Sequence, residues 1–122
     1  MTGLAAAFVA THLPPSQVLR PPLISDTWLH FLGYAALGAL TVWRIMADVP
    51  RPAAPALLRW YLALCIYALF DETTQPLVGR SLEASDLAAN LVGAMAGMMT
   101  MYWVTRWSSR KQPAAEEDAA LP

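Results

Sequence analysis

Three long apolar runs constrain the fold of this chain more than any other feature of its sequence. Residues 27–47 and 87–107 each form a run of 21 residues, which as helices would cover about 30 Å, the thickness of a bilayer's hydrocarbon core. Residues 54–72 are also long enough to span, provided that Arg59 extends its charged end to the interface. The runs predict helices that cross a membrane.

The composition supports this interpretation. The chain has 122 residues, 57% hydrophobic and 14% charged, with a net charge of −1. Ordinary soluble domains carry about 25% charged residues, well above the content of this chain. A near-neutral chain also lacks the basic surface by which proteins bind nucleic acids. Cys65 is the single cysteine, so neither an internal disulfide nor a CxxC site can form. We therefore expect a small integral membrane protein with membrane lipids as partners and no nucleic acid.

The two ends of the chain differ from the apolar runs. Residues 1–13 are apolar but cover only about 20 Å as a helix, so we interpret them as a short or incomplete first helix. A signal peptide is the alternative, disfavoured because this segment lacks Lys and Arg. Residues 112–122 form an acidic tail with nothing to bury, which predicts disorder. The sequence thus predicts an all-α integral membrane bundle of about four helices in one domain, residues 1–111. Their approximate bounds are 1–13, 27–47, 54–72 and 86–107.

The distribution of positive charge predicts the orientation. Six cations would lie at one side of the membrane: Arg44, Arg51, Arg59, Arg106, Arg110 and Lys111. The opposite side has two, Arg20 and Arg80. The positive-inside rule therefore places the C-terminus in the cytoplasm, with residues 73–85 facing outward. We expect a multi-pass protein of the bacterial inner membrane.

Polar side chains gather at the predicted outward end. At about 100° per residue, His30 and Tyr34 share one face of their helix, and Asp86 and Asn90 share one face of theirs. Asp86 is placed to cap its helix, and Asn90 needs a hydrogen-bond partner from a neighbouring helix. The candidate site comprises His30, Tyr34, Asp71, Glu72, Gln75, Arg80, Asp86 and Asn90. Gly93 and Gly97 form a GxxxG pattern that predicts close helix packing.

Four interpretations of this polar group remain open. It could be an ion-pair and hydrogen-bond network that fixes the outer loop, with Arg80 paired to Asp71, Glu72 or Asp86. A second interpretation is that it binds a polar head group. A third is that His30 or one of the carboxylates acts as a catalytic acid or base. A metal site of His30 and the carboxylates has no supporting motif such as HExxH. The sequence assigns no catalytic residue, no cofactor and no metal.

The order of these residues resembles a known family. Residues 26–38, DTWLHFLGYAALG, are similar to the D-K-x-x-H-F-x-x-Y-x-x-L-G segment of VanZ-like membrane proteins. Asp71-Glu72 with Gln75, then Arg80, then Asp86, Asn90, Gly93 and Gly97 match D-E-x-x-Q, R and D-x-x-x-N-x-x-G-x-x-x-G. Thr27 stands where the family usually has lysine, which removes one cation from the polar group.

The resemblance implies a VanZ-like protein whose biochemical activity is not established; the family takes its name from a protein associated with resistance to the glycopeptide teicoplanin. We expect the polar residues to bind an envelope component: a lipid head group, a cell-wall precursor or a glycopeptide such as teicoplanin. One alternative is an accessory subunit of a larger membrane complex, partnered by other membrane subunits. The other is a membrane-embedded enzyme acting on a lipid-linked substrate. Binding is favoured over catalysis.

Overall fold

The computed structural model describes residues 25–110. The predicted first helix at residues 1–13 and the acidic tail at residues 112–122 lie outside the described residues. Within them, three helices follow the three apolar runs: α1 (Asp26–Asp48), α2 (Ala54–Thr74) and α3 (Ala84–Arg110). A short 3₁₀ helix, Gln75–Val78, extends α2. The described part of the chain has no strand, which confirms the all-α prediction.

Local sequence explains where each helix begins and ends. The Ser25 hydroxyl accepts a hydrogen bond from the Trp28 backbone N–H and caps α1. A proline lies in the first turn of α2, where its missing N–H has no partner to lose. α3 begins at Ala84, two residues earlier than the sequence suggested, so Asp86 lies in the first turn and does not act as the cap.

Each of the three helices is long and apolar enough to cross a membrane. Their outer faces carry large apolar side chains, and all five tryptophans are more than half exposed. Such a surface is unfavourable in water but suits contact with lipid, with tryptophans at the interfaces. The five are Trp28, Trp43, Trp60, Trp103 and Trp107.

α1 and α3 pack against one another along most of their length, through glycines. A Cβ added at Gly93 would overlap the carbonyl of Phe31, and one at Gly97 would overlap the carbonyl of Ala35. The predicted close packing of the GxxxG pattern is therefore seen. Gly38 of α1 meets the backbone of α3 at Ala94 in the same way, so α1 also supplies a packing glycine, which the sequence analysis did not identify.

α2 is attached less closely. It contacts α3 more than α1, and its buried residues are Leu64, Ala68, Asp71 and Glu72. The two buried carboxylates lie in its last turns, at the same end of the bundle as the beginnings of α1 and α3. This end carries the candidate site.

Candidate functional site

The eight residues predicted from sequence all lie at this one end of the three helices, and we call them the polar layer. Seven of the eight are buried, and the Arg80 side chain is only 7% exposed. α1 and α3 contribute residues near their first turns, whereas α2 and its 3₁₀ extension contribute residues at their end. Antiparallel packing of α2 against α3 explains why residues far apart in sequence converge.

The α1–α3 side of the layer centres on His30. Its Nδ1 lies 3.1 Å from the Asn90 side-chain oxygen, and its Nε2 lies 3.8 Å from Asp86 Oδ2. The Thr27 hydroxyl donates to Asp86 Oδ1 at 2.7 Å. Asn90 thus finds the partner on a neighbouring helix that the sequence predicted it would need.

Arg80 has a different partner from those expected. Its guanidinium forms an ion pair with Asp26, and its Nε donates to Gln75 Oε1 at 3.1 Å. Gly79, at a φ of 77°, makes the left-handed turn that returns the chain toward the 3₁₀ helix, where the Arg80 N–H bonds the Gln75 carbonyl at 3.3 Å. This turn directs Arg80 toward Asp26, away from the expected pairing with Asp71, Glu72 or Asp86.

The two carboxylates of α2 connect that helix to its neighbours. Asp71 Oδ2 accepts from the Tyr34 hydroxyl of α1 at 3.2 Å. Glu72 Oε1 accepts the backbone N–H of Glu83 at 3.1 Å, and its Oε2 accepts from Gln75 at 3.4 Å. Arg80 therefore reaches Glu72 indirectly, through the Gln75 amide.

Sequence reasoning missed Asp26 and Thr27 as members of this arrangement. Asp26 was noted only as the first position of the family segment, and Thr27 only as a replacement for lysine. A usable signal existed: Asp26 precedes His30 by four residues, and such residues share one helix face.

The layer carries excess negative charge among the described residues. Five carboxylates lie in or beside it: Asp26, Asp71, Glu72, Glu83 and Asp86. The described cationic groups at this end are Arg80 and, when protonated, His30. Among the described residues, carboxylates therefore outnumber cations at this end.

A shallow cleft opens beside the layer, between the beginnings of α1 and α3. Its walls are mostly apolar or small, including Phe31, Ala89 and Val92. Thr27 lines the cleft and also bonds Asp86, so an apolar surface and the polar layer are contiguous.

The opposite end of the bundle is basic. Arg51, from the α1–α2 connection, and Arg106, from α3, line one cavity there. The structure thus brings together cations that the sequence analysis assigned to one side of the membrane.

Comparison with known proteins agrees with the residue pattern. A family model described as VanZ/LLP1 matches residues 27–105, which is more than half of the chain. The chain belongs to the VanZ/LLP1 family. The matched range includes the whole polar layer and all three packing glycines of this VanZ/LLP1 protein, and it confirms the resemblance inferred from the motifs. Searches of curated proteins and of solved structures return no significant match.

Proposed function

We propose that this VanZ/LLP1 membrane protein binds an envelope component through its polar layer. The observation that carries the proposal is the burial of six polar side chains at one end of apolar helices. They are His30, Asp71, Glu72, Gln75, Asp86 and Asn90. Ionisable groups at membrane depth are costly, and they are retained mainly where they serve a function.

The charge and the cleft narrow the ligand class. Excess carboxylate favours a ligand that carries a cation, such as a primary amine. The adjoining apolar cleft favours a ligand with a hydrocarbon part. An amine-bearing amphiphile fits both features, and a lipid with an amine head group or a lipid-linked cell-wall precursor is a molecule of this kind.

The proposal includes an orientation. With the polar layer facing outward from the bacterial inner membrane, the C-terminus lies in the cytoplasm. This agrees with the six-to-two distribution of Lys and Arg and with the basic cavity at the opposite end. An outward layer meets head groups of the outer leaflet and precursors after their export.

The two alternative functions have weaker support among the described residues. An accessory subunit should present a small-residue stripe that its own packing does not use. The α1–α3 contact uses Gly38, Gly93 and Gly97, and the small residues left at the surface beside the polar layer are those of the cleft, Ser85, Ala88 and Ala89. An enzyme needs an acid or base within reach of a substrate, but His30 and Asp86 are both buried and neither lines the cleft.

A binding experiment tests the proposal. The full chain is placed in lipid nanodiscs with chelator present, and binding of labelled phosphatidylethanolamine, labelled phosphatidylglycerol, a lipid-linked precursor and teicoplanin is measured. We expect an amine-bearing amphiphile to bind and Asp26→Asn to weaken it at least tenfold. Asp48→Asn, the same change at the opposite end, should have no effect. Equal weakening by both variants, or no binding at all, would contradict the proposal.

A second pair of variants tests the cleft. Ala89→Trp fills it, whereas Ala63→Trp adds the same bulk to an exposed position of α2. The amphiphile should bind the first variant at least tenfold more weakly than the second. If both bind alike, the ligand does not occupy the cleft.

Cysteine labelling tests the orientation. In a Cys65→Ala background, single cysteines at Ser16 and Ser81 should react with a membrane-impermeant thiol reagent in intact cells. A cysteine at Ala53 should not react. Reversed labelling would place the polar layer in the cytoplasm.

A further inference from the structure

We propose that Asp26, His30 and Asp86 bind one divalent transition-metal cation of the zinc class. One ligand atom from each residue lies within 4.8 Å of the other two. Asp26 and His30 are one helical turn apart on α1, and the glycine packing of α1 on α3 brings Asp86 to the same point. The proposal concerns a cation bound by the protein itself and does not depend on the identity of the envelope ligand.

The hydrogen bonds of His30 support a metal-binding ring nitrogen. Its Nδ1 lies 3.1 Å from the Asn90 side-chain oxygen, and the tautomer that donates to this oxygen carries its proton on Nδ1. In the neutral ring, Nε2 then presents a lone pair toward Asp86 Oδ2, 3.8 Å away. Two acceptors facing one another in a buried site repel, and a cation between them, either a proton or a metal ion, removes that repulsion.

The spacing of these atoms suits a shared ion. Zinc binds histidine nitrogen and carboxylate oxygen at about 2.0–2.2 Å, so neighbouring ligand atoms in a tetrahedral site lie roughly 3.4 Å apart. The separation of 3.8 Å between Nε2 and Oδ2 exceeds a direct hydrogen bond. For this pair, a shift of a few tenths of an ångström would reach the tetrahedral spacing, and the Asp26 oxygen lies within 4.8 Å of both atoms.

A second observation is independent of the three ligands. The Asn90 side-chain nitrogen is fully buried and has no hydrogen-bond partner among residues 25–110, which is rare for a buried donor. Three protein ligands leave a fourth position of zinc for a water or an anion. Asn90 follows Asp86 by one helical turn on α3, so the oxygen of that group is a candidate acceptor for the Asn90 nitrogen.

Outer contacts hold the ligands as metal sites usually require. Asn90 fixes the His30 ring, Thr27 donates to Asp86 and Arg80 donates to Asp26. A carboxylate has two oxygens and can bind a guanidinium and a cation together. The Asp26 side chain is 27% exposed, which gives an ion a route from solvent.

The donor set selects the kind of cation. One imidazole nitrogen with two carboxylates suits zinc and similar transition metals, whereas magnesium and calcium prefer ligands that are all oxygen. We therefore expect Zn²⁺ to bind in the presence of excess Mg²⁺ and Ca²⁺.

The test uses the full chain, purified in detergent and stripped with chelator, with Zn²⁺ alone as the probe. Bound zinc per chain is measured by equilibrium dialysis and elemental analysis, and Co²⁺ is added separately to record visible absorption from a nitrogen- and oxygen-ligated site. The variants are His30→Gln and Asp86→Asn, with Asp71→Asn as the control in the same layer. Melting of each variant in chelator shows whether it folds without metal.

The wild type and Asp71→Asn should bind about one zinc per chain and gain thermal stability from it. His30→Gln and Asp86→Asn should lose stoichiometric binding and the stability gain. Absence of zinc binding by the wild type, or retention of one zinc by a folded His30→Gln protein, would overturn the proposal. Because the envelope ligand is measured in chelator, failure of one proposal is distinguishable from failure of the other.

Discussion

The contact between α1 and α3 and the attachment of α2 use different physics. α1 and α3 meet backbone to backbone, through Gly38, Gly93 and Gly97. α2 is held at the polar layer by hydrogen bonds, such as that from Tyr34 to Asp71, and buries few apolar side chains. Lipid supplies no hydrophobic drive between helices, so association needs either close van der Waals contact or polar bonds. This protein uses the first for one helix pair and the second for the other.

The difference links stability to function. The α1–α3 pair carries the candidate metal ligands and the cleft, and its glycines fix their geometry. The position of α2 depends on carboxylates that belong to the polar layer. A ligand that engages those carboxylates would therefore act on the weaker of the two attachments.

The largest expected effect comes from the glycines. Gly97→Leu and Gly38→Leu place side chains where a Cβ already overlaps the opposing backbone. Each should lower the free energy of unfolding by about 3 kcal/mol, the upper end of the usual overpacking cost. Apart from its own helix backbone, no described residue lies within 4 Å of a Cβ added at Gly33, so Gly33→Leu should change little. Denaturant titration in mixed micelles measures the free energy of unfolding of all three variants. An equal loss for Gly33→Leu would show that the α1–α3 glycine contacts have no special role in stability.

Tyr34→Phe tests the polar attachment of α2. It removes the hydroxyl that donates to Asp71, and a buried hydrogen bond to a charged group is worth about 1.5–3 kcal/mol. We expect a loss of about 2 kcal/mol, together with faster reaction of Cys65 on α2 with an apolar maleimide. A stability loss without any change in Cys65 reactivity would show that the bond does not position α2.

These two cases show how much the sequence could predict. The apolar runs and the GxxxG pattern each lie within one short stretch of sequence, so the three helices and the packing glycines of α3 could be predicted. Gly38 was not recognised because no second glycine lies four residues from it, so it forms no GxxxG pattern. The polar layer was found because all its members lie at helix ends, but the pairing of Arg80 with Asp26 was missed. That pairing depends on a turn at Gly79, and the direction of a turn is not set by composition alone.

A double-mutant cycle sharpens the assignment of Arg80. Arg80→Ala and Asp26→Asn should couple by about 1–2 kcal/mol, between the values of exposed and buried ion pairs, because the Asp26 side chain is partly exposed. Coupling of Arg80→Ala with Asp86→Asn should be smaller. A larger coupling energy with Asp86→Asn than with Asp26→Asn would instead support the pairing of Arg80 with Asp86 that the sequence suggested.

The smallest expected effect belongs to a polar contact of α2 that lies outside the polar layer. The Tyr61 hydroxyl lies 3.4 Å from the Leu91 carbonyl of α3, near the limit of a hydrogen bond. That carbonyl lies inside α3 and already serves the helix, so Tyr61→Phe leaves no buried group without a partner. We expect a loss of under about 0.5 kcal/mol in mixed micelles, well below that of Tyr34→Phe, since the cost of removing a hydrogen bond comes mainly from the partner left unsatisfied. A loss as large as that of Tyr34→Phe would mean that α2 is attached along its length and not chiefly at the polar layer.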